Sequence, residues 1–136
     1  MQAFLVGMHS LWRWVVLIAV LVALVRGLIG WLRGGDWTGL DRQLSLLATT
    51  ALDIQLLLGI LLWITERRWS DGAFFAFVHP LVMIAAIAVA HLGSIRIRRE
   101  TDAVARHRWL ALSLLVVLIL VTAAIPSYSW SRIWAG

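Results

Sequence analysis

The stretch that decides the fold is "FLVGMHSLWRWVVLIAVLVALVRGLI", Phe4 to Ile29. It is apolar throughout except for His9, Ser10, Arg13 and Arg26. A helix needs about 20 such residues to cross the hydrocarbon of a bilayer. Three further runs, Leu44 to Ile64, Ala73 to Ile95 and Trp109 to Ile125, reach or approach that length. Inside lipid a backbone must satisfy its own hydrogen bonds, and helices do so within one segment. The predicted helices cover about 4–32, 44–64, 74–95 and 107–126. Short connections make sequence neighbours antiparallel. The expected fold is all-α: an integral membrane, up-down-up-down four-helix bundle forming a single transmembrane domain over 1–136.

Composition agrees with this. The 136 residues are 62% hydrophobic, and the mean hydropathy is +0.90. With no cysteine in the chain, disulfides, iron–sulfur clusters and thiolate metal sites are excluded. The N-terminus lacks the basic region and small-residue cleavage site of a secretory signal, so its apolar run is read as a retained helix.

All twelve basic residues are arginine, against seven acids. In a membrane protein that excess is first a topology signal, and no nucleic-acid partner is expected. Arg26, Arg33 and Arg42 surround the first connection, and Arg96, Arg98, Arg99, Arg106 and Arg108 the third. The opposite side has Arg67, Arg68 and Arg132. The positive-inside rule then puts both termini outside and the arginine-rich loops in the cytoplasm, in a multi-pass protein. Trp31, Trp37, Trp63, Trp69, Trp109, Trp130 and Trp134 fall near span ends, as interface anchors do.

The connections carry turn chemistry. "RGGDWTGLD" (Arg33 to Asp41) and "TERRWSDG" (Thr65 to Gly72) separate helices 1, 2 and 3. "RIRRETDAVARHR" (Arg96 to Arg108) separates helices 3 and 4; its middle reads as a short interfacial helix capped by Thr101 or Asp102. Pro126 ends or kinks helix 4.

The four histidines sort by depth. His9 and His79 lie near the outer ends of helices 1 and 3, and His91 and His107 near the inner ends of helices 3 and 4. His79 and His91 are twelve residues apart, roughly 18 Å along one helix. Two imidazoles per membrane face are what a di-haem b-type cytochrome requires. Met83, Ala86, Ala90 and Gly93 form a slim stripe beside them, and Gln55 and Gly59 share a face of helix 2. Other readings stand beside this one. Intramembrane histidines also serve packing or proton paths, small-residue stripes also serve close helix contact, and His107 between two arginines also suits an interfacial cation. Twelve residues also rotate a helix by about 120° beyond whole turns, so His79 and His91 face different neighbours.

Arg13 lies one turn from His9, and Asp53 near the middle of helix 2. One account ties them as an ion pair between helices 1 and 2. Another sets Arg13 against a haem propionate, with Asp53 or Gln55 in a quinone pocket or proton route.

"HSLWRW", "HPLVMIAAIAVAHLG", "TDAVARHRWLAL" and the terminal "AAIPSYSW" together resemble small bacterial four-helix membrane proteins described as cytochrome b-like. The resemblance implies one or two haem b groups with His9, His79, His91 and His107 as axial ligands to iron. It also implies electron transfer inside a larger respiratory or photosynthetic membrane complex, with quinone as a candidate partner. No residue is read as catalytic; the chain is expected to be a non-catalytic or electron-transfer subunit touching lipid and other membrane subunits. The alternatives are a cofactor-free structural or assembly subunit and a pigment-binding subunit with single axial histidines.

Overall fold

The computed structural model describes residues 2–131. Arg132 and Trp134, read above as part of the outer flank, lie outside the described residues. Four long helices account for nearly all of the chain: α1 (Gln2–Arg33), α2 (Gly39–Thr65), α3 (His79–Arg99) and α4 (Ala103–Ala124). A π-helical turn, Phe74–Val78, runs directly into α3, and short 3₁₀ turns occupy Arg68–Ser70 and Ser127–Ser129.

Local chemistry sets the ends. Thr38 accepts from the Asp41 backbone N–H while the Asp41 carboxylate accepts from the Thr38 N–H, so α2 starts at Gly39 rather than near 44. Asp41 is fully buried, and Arg26 Nε donates to it at 2.7 Å, tying the end of α1 to the start of α2. The expected interfacial helix between α3 and α4 is not a separate element. Asp102 accepts from Ala105 N at 3.0 Å and caps α4 itself, which therefore begins at Ala103. Ile125, held extended ahead of Pro126, stops α4 at Ala124 without a kink.

Cross-helix contacts run in opposite directions along every adjacent pair. Trp12 Nε1 donates to Ala51 O and Gln55 Nε2 to His9 O, between α1 and α2. A Cβ placed on Gly30 would meet His107, and one on Gly27 would meet Ala111 N at 3.0 Å, between α1 and α4. Gly93 lies against Ser113 in the same way, between α3 and α4. Trp63 Nε1 reaches Ala76 O between α2 and the turn leading into α3. The bundle is therefore antiparallel throughout, and the seam between α2 and α3 is its least packed. Glycines let α4 approach α1 and α3 closely, as in packing between apolar helices.

The core combines Val16, Val20, Ala23, Ala48, Leu52, Ala86, Leu110, Leu114 and Val117. Most of the apolar surface faces outward: in the most apolar windows of the four spans only 28–39% of residues are buried. Ile18, Leu57, Leu92 and Ile119 are all exposed. The four helices are long and apolar enough to cross a membrane, and the leucine and isoleucine on their outer faces suit contact with lipid. The antiparallel order gathers Arg26, Arg33, Arg42, Arg96, Arg98, Arg99, Arg106 and Arg108 at one end, with Arg67 and Arg68 at the other.

Candidate functional site

At the end opposite the arginine cluster, α1, α2, α3 and the segment after α4 enclose a cavity of about 350 Å³. His9, Arg13, Gln55, Gly59, Arg68 and His79 line it, with Val16, Leu56, Met83 and Val121 among its apolar walls. Its size falls in the range of small-molecule and cofactor sites.

Two prolines build this end. Pro80 has no N–H to return to the preceding turn, and the carbonyl four residues earlier, on Ala76, accepts the Trp63 indole N–H at 3.3 Å. The π-helical turn sits directly ahead of His79, a common local irregularity at functional positions. Pro126 turns the chain away from α4, so the Ala124 carbonyl has no N–H one helical turn on. His79 Nδ1–H donates to that carbonyl at 2.8 Å. This bond fixes the tautomer and leaves the His79 Nε2 lone pair for the cavity, the arrangement that orients metal-ligating histidines.

His9 stands across from it. The ring centroids are 6.2 Å apart with planes at 75°. His9 Nδ1 is enclosed without a hydrogen-bond partner, which leaves Nε2 as its accessible nitrogen. Gly59 makes room for the ring, since a Cβ there would lie 3.3 Å from His9 Cε1. Phe74 and Phe75 pack their rings 6.0 and 6.2 Å from His79. Arg13 Nη2 donates to the Ser129 carbonyl at 3.1 Å and lies 5.3 Å from the centroid of Trp14. Gln55 Oε1 is buried and unbonded beside the same space.

Two imidazoles binding one metal from opposite sides put their centroids about 6 Å apart, from metal–nitrogen bonds of about 2 Å plus a ring radius of about 1 Å on each side. His9 and His79 have a similar centroid separation, 6.2 Å, in an edge-on ring contact. Among the described residues no group of three or more histidine, aspartate or glutamate side chains could hold a bare metal ion.

The inner pair is not assembled. His107 is 1% exposed, wedged between Gly30 and Trp37, and its Nε2–H donates to the Asp36 carbonyl at 2.9 Å. Its Nδ1 is enclosed. Neither nitrogen is presented to a ligand. His91 lies elsewhere, on the side of α3 toward α2, where its Nε2–H donates to Asp53 Oδ1 at 2.8 Å. Among the described residues no ring contact joins His91 to His107.

The expected Arg13–Asp53 ion pair is not formed either. Ala51 and Gln55 face α1, and Asp53, two residues from each, is turned about 200° away from them. Asp53 therefore belongs to the α2–α3 seam and Gln55 to the cavity, so the two do not share a site. Sequence reasoning missed the Ala124 and Ser129 carbonyls, Trp63 and Arg68. The two prolines were the available signal, because each implies a carbonyl released from its helix.

No family model matches the chain, and searches of curated proteins and of solved structures find no match to it.

Proposed function

We propose that the chain binds one haem b between His9 and His79 and serves as an electron-transfer subunit of a membrane complex. The observation that carries this reading is the His79 Nδ1–H bond to Ala124, which points a fixed lone pair into an apolar cavity with a second imidazole 6.2 Å away. Haem iron held by two imidazoles exchanges single electrons without binding substrate. His9 and His79 would hold it, and Gly59 would leave room beside the His9 ring. Arg13, buried in the cavity wall, would supply positive charge for a propionate, while Arg68 at the margin is already paired with Asp71 at 2.9 Å. Met83, Val121 and the phenylalanines would exclude water, which raises the influence of each nearby charge.

By the positive-inside rule the arginine-rich end faces the cytoplasm of a bacterial inner membrane, with the N-terminus and the haem cavity toward the opposite face. Among the described residues His91 and His107 are each bonded elsewhere and do not meet, which supports one haem rather than two. The test is a dithionite-reduced minus oxidised spectrum of the purified chain, with haem supplied during expression. A b-type α-band is expected in the wild type and lost in both His9→Ala and His79→Ala. Its absence from folded wild-type protein refutes the reading.

One observation favours a cofactor-free structural subunit instead: His79, His91 and His107 each already hydrogen-bond within the bundle. The same spectrum separates the two, because that role predicts no band.

A further inference from the structure

The Asp53–His91 pair takes no part in the cavity, and its position is unusual. The two side chains are 43% and 51% exposed, among the exposed apolar residues Ile54, Leu57, Leu92 and Ile95. Polar side chains in a membrane normally turn toward protein, where their hydrogen bonds can be completed. Asp53 is completed on one side only. His91 Nε2–H donates to its Oδ1 at 2.8 Å, while Oδ2 has no bond among the described residues.

Thr50, one turn earlier on α2, is also exposed, and its hydroxyl is likewise unused among the described residues. A helical threonine usually returns its hydroxyl to a carbonyl one turn back. Thr49 does so at 3.1 Å, and the Leu46 carbonyl within reach of Thr50 is one that it occupies. An unused hydroxyl and an unused carboxylate oxygen therefore stand one turn apart on one outward face.

That face has a regular form. Leu46, Thr50, Asp53, Leu57, Ile60 and Ile64 alternate spacings of four and three residues, and none is buried. Seen from α2, α1 lies on the side of Ala51 and Gln55 and α3 on the side of His91. Among the described residues nothing packs along the stripe between them. Its spacing is that of the seam of a two-stranded coiled coil, in which a polar residue at a single position fixes the register and the number of strands.

We infer that this stripe is the contact of α2 with a second copy of the chain. A two-fold axis along the membrane normal sets the stripe against itself. Knobs-into-holes packing then puts a seam residue beside its counterpart and beside the seam residue one turn away. The Thr50 hydroxyl of one protomer reaches the free Asp53 oxygen of its partner, and symmetry makes the bond twice. The bond to His91 draws each carboxylate toward its own α3, which keeps the two acids off the axis. An unrelated membrane helix would have to bring a donor to this height; a copy of this chain already carries one. The contact does not depend on haem, since neither Thr50 nor Asp53 lines the cavity.

The chain has no cysteine, so single introduced cysteines report contact without background. In the full chain in lipid vesicles at low protein density, oxidation should link Leu46→Cys and Leu57→Cys as dimers. It should not link Ile18→Cys or Ile119→Cys, which are exposed on α1 and α4. All four lie on the outer surface and leave the core intact. By sedimentation equilibrium in detergent micelles, Thr50→Val should weaken dimerisation about tenfold or more through two lost hydrogen bonds, and Thr50→Ser should restore it. Both measurements are made without added haem, so their outcome is separate from the haem reading. A wild type that stays monomeric at every concentration overturns the inference, and so does equal linkage of all four cysteines. Unchanged dimer affinity in Thr50→Val overturns it too.

Discussion

Gly30→Ala tests the assignment of His107 as a packing residue. A Cβ at position 30 would fall deep inside contact distance of His107 Cγ, Nδ1 and Cδ2. The ring cannot step aside freely, because it is 1% exposed, in tilted contact with Trp37 at 5.1 Å, and bonded to the Asp36 carbonyl. Overpacking of this kind costs about 1–3 kcal/mol, and displacing the ring from Asp36 costs about 1 more. Replacing glycine by alanine within a helix returns about 1 kcal/mol. The net expectation is a loss of about 1–3 kcal/mol, read from reversible unfolding in detergent micelles by circular dichroism. The decisive arm is the same substitution in a His107→Ala background, where the ring is gone and the new methyl has space. There Gly30→Ala should be neutral or stabilising, giving a coupling of about 1–4 kcal/mol between the positions. Equal cost in both backgrounds, or no cost in the wild type, would refute the wedge and return His107 to consideration as a ligand.

Arg26→Ala should destabilise by about 2–3 kcal/mol, because it leaves the buried Asp41 carboxylate with only Thr38 as partner; Arg33→Ala at the same end serves as the near-neutral comparison in the same unfolding assay. Asp102→Ala should cost about 1 kcal/mol through the lost cap of α4, with Asp102→Asn recovering most of it. In haem-free protein, ¹⁵N spectra of histidine side chains should show His79 as the Nδ1–H tautomer, and an Nε2–H assignment would contradict its bond to Ala124. His91→Ala and His107→Ala should keep the reduced-minus-oxidised band that His9→Ala and His79→Ala lose; loss of the band in folded His107→Ala would point to an inner haem.

Much of the frame was legible because its signals are local. Apolar length marks the four spans and the arginine distribution marks their two ends; the Thr38–Asp41 and Asp102 caps, equally local, start α2 at Gly39 and α4 at Ala103, earlier than hydropathy alone suggested. The depth argument placed His9 and His79 at the same end, and they do share a cavity. The same argument grouped His91 with His107, and it failed there because depth is one coordinate of two. Spacing along a helix gives relative rotation, as the roughly 120° between His79 and His91 already implied. It does not say which neighbour each face meets.

That second coordinate is set by packing. Gly27 and Gly30 let α4 settle against α1, and this turns His107 into the α1 interface and away from His91. Trp12 and Gln55 set the face of α2 that meets α1, which leaves Asp53 on the other side to find His91. The sequence by itself therefore determined the number of spans and the approximate height of each polar residue, because these depend on hydropathy within one segment. Only the tertiary structure decided which polar residues meet, because the rotation of each helix about its axis is fixed by contacts between residues far apart in the chain.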